Sequence, residues 1–336
     1  MKIGYLLKRI AQMDRKAVWQ TAKRVHTRSG RATLPVFFDI VRCGFKYGAG
    51  YMDYLVFEFE RLTPAQRATY ITRGVNNGYV RLLNPKEGWH ELEDKCEFLR
   101  AIGPLAGRDW LDLRSCSDEE FTAFCEKHGK FVVKPIDATC GRGVEFPENV
   151  ADPAAFRKAC LERGQVLAEE YVVQHPALAA IYPGSVNTIR LCTIRSKGRT
   201  QVVFSSLRIG NGRDVDNLNA GGMAVLIGSD GRISTVGADK DGKAYETHPM
   251  TGVRLKGYEI PYYREAVQMV IDGAERFPEV GYIAWDVAVT EHGPLLIEAN
   301  HFPGHDIYQF QVHLGEDRIG LKPRFDRAVR GEPVDA

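Results

Sequence analysis

Apolar residues are spaced in two different ways along the chain. Up to about residue 94 they recur at helical intervals. There LTPAQRATYITRGVNNGYV predicts a helix that opens at Thr63-Pro64 and breaks at Asn76-Asn77-Gly78. From about residue 95 short helical and extended stretches alternate. EDKCEFLRAI reads as a helix led by acids and FVVKPID as a strand. DPAAFRKACLERG reads as a helix with proline near its start and glycine at its end, and QVLAEEYVV as a second strand. TIRLCTIRSKGRTQVVFSSLRIG then predicts two strands about Ser196-Lys197-Gly198, and GGMAVLIGSDGRISTVG a further pair about Asp230-Gly231. Between Pro261 and Pro278, Val267, Val270, Ile271, Ala274 and Phe277 recur at helical spacing. Helices mixed with mostly antiparallel strands in this order predict an α+β fold.

The stretch YIAWDVAVTEHGPLLIEAN, Tyr282 to Asn300, is an apolar hairpin interrupted by Asp286, Glu298 and Asn300. Thr290-Glu291-His292-Gly293 fits a three-residue loop with Gly293 in its left-handed position. That loop sets Thr290 opposite Pro294, Ala288 opposite Leu296, Asp286 opposite Glu298 and Ala284 opposite Asn300. Alternation then sends all three oxygen-bearing side chains to one face. Trp285, Val287, Val289, Leu295, Ile297 and Ala299 go to the other. A two-residue loop would send Asp286 to the opposite side. Two facing carboxylates repel unless a cation lies between them. Carboxylate and amide oxygens without His or Cys suit a hard ion such as Mg²⁺; a salt bridge to Arg or Lys is the alternative.

FVVKPIDATCGRGVEF places Lys134 on a strand ahead of Gly141 and Gly143. Glycines let backbone N–H groups close over phosphate oxygens, and Lys134 supplies a point charge. A plain tight turn explains the same residues. Neither the Walker A order nor a dinucleotide-binding G-x-G-x-x-G is present.

Composition narrows the class. The 336 residues are 44% hydrophobic and 26% charged, with a net charge of +2, as in a soluble globular protein rather than a polyanion binder. No apolar run approaches the roughly 18 residues of a membrane span, and the start MKIGYLLKRIAQMDRK is not a secretory signal. Seven cysteines without a C-x-x-C pair predict reduced thiols in a cytoplasm and argue against zinc. Residues 1–31 hold nine Lys/Arg against Asp14 alone. They predict either a solvated basic helix or a weak peripheral contact with anionic lipid at the inner membrane face. No nucleic-acid-binding module is present.

The order of these features carries a resemblance. Lys95 begins a helix, Lys134 precedes a glycine loop, AEEYV ends the next strand, SVNTIR follows, and a hairpin supplies Asp and then Glu-x-Asn. This is similar to the ATP-grasp superfamily, in which two α+β lobes hold ATP between them. FDIVRCGFKYGAGYMDYLVFEF, GVNNGYVRLLNPK, SVNTIRLCT and IEANHFPGHD resemble its sugar-transfer-associated branch, over nearly the whole chain.

The resemblance implies a helical N-terminal region over 1–94, a small lobe with glycine loop and hinge over 95–175, a large lobe with a metal site over 176–320, and a charged tail over 321–336. Lys95 and Lys134 would contact ATP phosphates, under a flap of Gly141, Arg142 and Gly143. Glu169, Glu170, Tyr171 and Val172 would receive adenine, mostly through backbone groups. Asp286, Glu298 and Asn300 would bind Mg²⁺, and Arg190 with Arg208 would steady the transferred phosphate. Many ATP-grasp enzymes hold the ribose with an acidic residue after the hinge; here Gln174 and His175 stand there instead. Asn187, Asn217, His301 and His305 are candidates for contact with the acceptor.

The implied activity is ATP- and Mg²⁺-dependent ligation of a carboxylate to an amine through an acyl phosphate. The carboxylate would be a small-molecule or glycan-linked one, in polysaccharide or cell-envelope synthesis. A kinase of a sugar or glycolipid hydroxyl, or a nucleotide-binding scaffold without turnover, would use the same residues.

Overall fold

The computed structural model describes residues 14–136 and 143–334. The chain divides into two compact units, 1–78 with 305–323 and 79–304 with 324–336.

The first unit is helical. Helix α1 (Arg15–Ser29) starts where Asp14 accepts a hydrogen bond from the Ala17 amide at 2.9 Å, and it stops at Gly30 with φ 72°. Helices α2 (Thr33–Lys46), α3 (Tyr51–Val56) and α4 (Pro64–Arg67) follow. Thr63 and Gln66 form a capping box ahead of α4. Val18, Ala22 and Val25 pack with Val36, Ile40, Phe57, Phe59 and Tyr70 in its core. The returning segment is tied in by His305 Nε2 to Asp53 Oδ1 at 2.8 Å and by the Gln309 amide, which accepts from the Ile71 N–H at 2.9 Å.

Helix α5 (Arg73–Leu83) runs straight through Asn76-Asn77-Gly78, where the sequence predicted a break. Glycine costs a helix only about 1 kcal/mol. Burial of Asn76, Tyr79 and Val80 outweighs that weak local signal.

In the second unit, α6 (His90–Glu93) and α7 (Lys95–Ile102) lead into a three-stranded antiparallel sheet of order β1-β3-β2. Its strands are β1 (Trp110–Asp112), β2 (Phe131–Pro135) and β3 (Gln165–Glu170). Helices α8 (Asp118–His128) and α9 (Pro153–Glu162) accompany it, through a core that includes Phe121, Phe124, Phe131 and Cys160. After α10 (Pro176–Ile181) comes a seven-stranded antiparallel sheet of order β10-β9-β4-β5-β6-β7-β8.

The strands of the larger sheet are β4 (Ile189–Ser196), β5 (Arg199–Ile209), β6 (Met223–Leu226), β7 (Gly237–Asp239), β8 (Ala244–Tyr245), β9 (Tyr282–Thr290) and β10 (Gly293–Asn300). Lys197 and Gly198 both have positive φ and turn β4 into β5, as expected there. The strand expected after Asp230-Gly231 is reduced to a bridge between Ile227 and Ile233. Helix α11 (Tyr263–Glu275) packs with Leu191, Leu207, Trp285 and Val287 in the main core. Helix α12 (Lys322–Val329) closes the described chain.

The hairpin differs from expectation in an instructive way. Its loop has two residues, Glu291 and His292, so Thr290 faces Gly293 and Leu295 faces Ala288. A β-bulge at Ile297 then takes up one residue, and Asp286 faces Glu298 and Ala284 faces Asn300 after all. Without it, Glu298 would lie opposite Trp285 in the apolar core. Burying an unpaired carboxylate there costs more than one unpaired ladder residue. Ile297, expected on the core face, borders the cavity described next.

Candidate active site

One row across the larger sheet concentrates charge. Arg190 on β4 lies opposite Asp286 on β9, and Asp286 lies opposite Glu298 on β10. Directly paired residues share a sheet face, so the three side chains emerge together. Arg190 Nη2 donates to Asp286 Oδ2 at 3.0 Å, and Arg208 Nη1 donates to the same oxygen at 3.1 Å. Arg190 Nε lies 2.6 Å from Asp286 Oδ1 but is misaligned, which leaves both atoms buried without a hydrogen bond. Arg208 Nη2 also donates to Asp216 Oδ1 at 2.7 Å, while Thr188 donates to Asp216 through its amide at 3.0 Å and through its hydroxyl. Asn300 Nδ2 reaches Glu298 Oε1 at 3.4 Å.

Burial pushes the Asp286 carboxyl up to about 7; Arg190 and Arg208 oppose the shift and Glu298 reinforces it. Burial works the same way on Glu298, but the hydrogen bond with Asp286 and the charges of Arg190, Lys134 and Lys95 hold it below its ordinary value. Two facing carboxyls that lie this close favour ionisation of one over the other.

A second cluster faces this row. Lys134 on β2 and Arg108, just before β1, both pair with Glu169 on β3, and all three side chains are largely buried. Burial would raise the Glu169 carboxyl, but Arg108 and Lys134 hold it down at about 2. Arg108 also donates to the carbonyls of Leu296 and Ile297, the latter at 3.2 Å, beside the bulge. Lys95 Nζ donates to the Ile136 carbonyl at 2.6 Å.

These groups border a cavity of about 550 Å³. Of the residues proposed from sequence, Lys95, Lys134, Glu169, Glu170, Tyr171, Val172, Arg190, Arg208, Asn217, Asp286, Glu298, Asn300 and His301 line it. Tyr171 is 37% exposed, with Phe146 at its edge and Lys130 Nζ 4.6 Å from its ring centre. The His301 ring lies against Trp89, and burial lowers its pKa against the pull of Glu93.

Others are placed elsewhere. Gln174 Nε2 donates to the Tyr182 and Ser185 carbonyls, and its oxygen accepts from Asn187. Asn187 is fully buried and also holds the Leu178 carbonyl and the Gly210 amide, so both side chains serve the backbone. Gly143 has φ +71°, and its carbonyl accepts from Gln165. His305 belongs to the first unit, paired with Asp53. Gly141 and Arg142 lie outside the described residues.

Sequence reasoning missed Arg108, Thr188 and Asp216. Arg108 sits in a short turn with no motif around it, and only its tertiary partners mark it. Asp216 opens the polar loop DNLNAGG, in which Asn217 alone stood out as a candidate.

The family described as sugar-transfer associated ATP-grasp matches residues 75–324. The chain belongs to this family. The resemblance drawn from the Lys95–Asn300 order is therefore confirmed, together with the α+β ATP-grasp fold. No curated protein matches the sequence.

Several solved structures are similar to this ATP-grasp chain. An N5-carboxyaminoimidazole ribonucleotide synthetase in complex with ADP is 15% identical, with 73% of this chain and 53% of that chain covered and a TM-score of 0.44. The N5-carboxyaminoimidazole synthase of Aspergillus clavatus, with ADP and 5-aminoimidazole ribonucleotide, is 11% identical over 76% and 55% of the two chains, with a TM-score of 0.46. The D-alanine-D-alanine ligase of Coxiella burnetii is 12% identical over 76% and 64%, with a TM-score of 0.44. The chain spans about half to two thirds of the length of these structures.

Proposed function

We propose that this ATP-grasp protein is an ATP-dependent carboxylate–amine ligase, acting on a small-molecule or glycan-linked carboxylate in polysaccharide or cell-envelope assembly. The observation that carries this reading is one cavity in which Lys95, Lys134, Arg190 and Arg208 meet a facing pair of carboxylates.

Mg²⁺ fits the residues present. Asp286 and Glu298 face each other across the ladder and Asn300 adds an amide oxygen, a donor set of hard oxygens without His or Cys. Asp286, Glu298 and Asn300 would hold the ion, whose chemistry is to neutralise charge on the triphosphate.

Lys95 and Lys134 bind phosphate oxygens. Lys134 then leaves Glu169, which Arg108 continues to neutralise. Arg190 and Arg208 orient the transferred phosphoryl group, and Tyr171 with Val172 offers the adenine an apolar edge. A carboxylate oxygen of the substrate attacks the γ-phosphorus and ADP departs with the bonding pair. The amine nitrogen then attacks the acyl carbon, the carbon–oxygen bond to phosphate breaks, and the nitrogen loses a proton. Positioning and electrostatics suffice for both steps, and no side-chain nucleophile is required.

The test is ADP release with Mg²⁺-ATP and panels of carboxylates, amines and sugars. A ligase releases ADP and phosphate in equal amounts only when a carboxylate and an amine are both present. ADP with a lone sugar and a phosphorylated product would make it a kinase, and tight ATP binding without ADP under any condition would make it a scaffold.

A further inference from the structure

Helix α2 is apolar on two opposite sides. Val36, Ile40 and Cys43 are buried in the core of the first unit. Leu34, Phe38 and Phe45 recur at i, i+4 and i+11 around the far side of the same helix, beside Val41 at i+7, which is half-buried and packs against the core. Leu34 is 56% exposed and Phe38 62%. The stripe continues on to α1: the Phe37 and Phe38 ring centres are 5.6 Å apart, and Trp19, 38% exposed, lies 5.8 Å from Phe37. Val41 and Phe45 carry it into a groove shared with Tyr51. A helix already anchored by one face does not need a second apolar face for folding, and exposed apolar surface of this kind marks an interaction site.

The surrounding charge decides the occupant. Arg15, Lys16, Lys23, Arg31, Arg42 and Lys46 are exposed on or between α1 and α2. The acids of the two helices are engaged: Asp14 caps α1, and Asp39 is held by Arg67 at 2.9 Å. A stripe of tryptophan, phenylalanine and leucine bordered by basic side chains matches the headgroup region of an anionic bilayer. Against a second copy of the same face, like charges would repel. We infer that α1 and α2 form a docking surface for an anionic lipid bilayer, with Leu34, Phe38 and Trp19 entering the headgroup boundary and the basic residues meeting lipid phosphates. This moves the membrane contact expected from residues 1–31 on to 15–46; the first 13 residues lie outside the described ones. It goes beyond the catalytic reading and does not depend on it.

The experiment is co-sedimentation of the full chain with phosphatidylcholine vesicles, with and without phosphatidylglycerol. Expected are salt-sensitive binding to the anionic vesicles alone and a blue shift of tryptophan emission that Trp19→Phe abolishes. Leu34→Ser with Phe38→Ser should weaken binding at least about tenfold. Arg42→Gln with Lys46→Gln should weaken it several-fold at low salt and flatten its salt dependence. Both double variants should keep wild-type melting and ATP affinity. If the serine variant melts early, the Trp19 shift in the otherwise native chain decides. The inference is overturned by absence of binding at low salt or by binding that survives the serine substitutions. Loss of binding on deletion of residues 1–13 alone would also overturn it, as would a dimer that the serine substitutions dissolve.

Discussion

Arg108 touches both halves of the site. Its fork reaches Glu169 on β3 and the carbonyls of Leu296 and Ile297 at the bulge of β10. A lysine has one ammonium and cannot span those partners. Arg108→Lys should therefore weaken ATP binding about tenfold by calorimetry. Arg108→Ala should also destabilise the fold by about 3–5 kcal/mol in denaturant titration, since it strips a partner from a buried carboxylate. Glu298→Gln keeps an oxygen and loses the charge, so it should abolish ADP release with the thermal midpoint unchanged or raised. Near-normal turnover in that variant would remove Glu298 from the proposed metal ligands.

Glu169 makes a pH prediction. Its carboxyl is held at about 2 in the fold against an ordinary 4.5. A depressed carboxylate contributes stability that is complete above its unfolded pKa and disappears as pH falls through the folded one. Thermal melts of Glu169→Gln should fall below those of the native chain at neutral pH. The gap should narrow between about pH 5 and pH 2. A gap that does not change with pH would mean the ion pair adds nothing.

At the scale of elements, the hairpin shows how a face is chosen. Period-two alternation is enough to mark Asp286, Glu298 and Asn300 as partners, and the pairing is the expected one. The route to it was not legible. Loop length and bulge are both one-residue effects, and two such shifts cancel without trace in the pattern of polar and apolar positions. The helix through Asn76-Asn77-Gly78 is a similar case, in which burial outweighs a weak local preference. Gly107 supports β10 from outside: with φ +66°, a Cβ there would lie 2.8 Å from Leu295 Cβ. Gly107→Ala should cost about 1–3 kcal/mol in urea unfolding. It should cost more than Gly103→Ala, where φ is +55° but the space around is open.

At the scale of the molecule, the first unit is built from two distant pieces of chain. Residues 305–323 depend on residues before 78: His305 on Asp53, Gln309 on Ile71, Gln311 on Tyr70 and Gly320 on Thr69. Removing residues 1–78 would bare Tyr308, Phe310 and His313, which are buried. In that shortened chain, limited proteolysis should cut within 305–323 at least about tenfold faster than in the intact protein, as expected of a segment that has lost its packing. Equal resistance would show that this segment folds without the N-terminal helices.

The sequence by itself determined the α+β class, the strand lysine before a glycine loop, and the Asp and Glu-x-Asn of the hairpin. These are local: each is written in spacing and residue type within a few tens of residues. Only the tertiary structure decided that Arg190 stands in one row with Asp286 and Glu298, since β4 and β9 are separated by most of the larger sheet's sequence. It also decided that Gln174 and Asn187 serve the backbone, and that Arg108 joins β3 to the bulge of β10. Those roles depend on which distant groups share a buried volume. A buried charge or amide takes whatever partner the packing brings within hydrogen-bond reach, and that partner has no fixed offset along the chain.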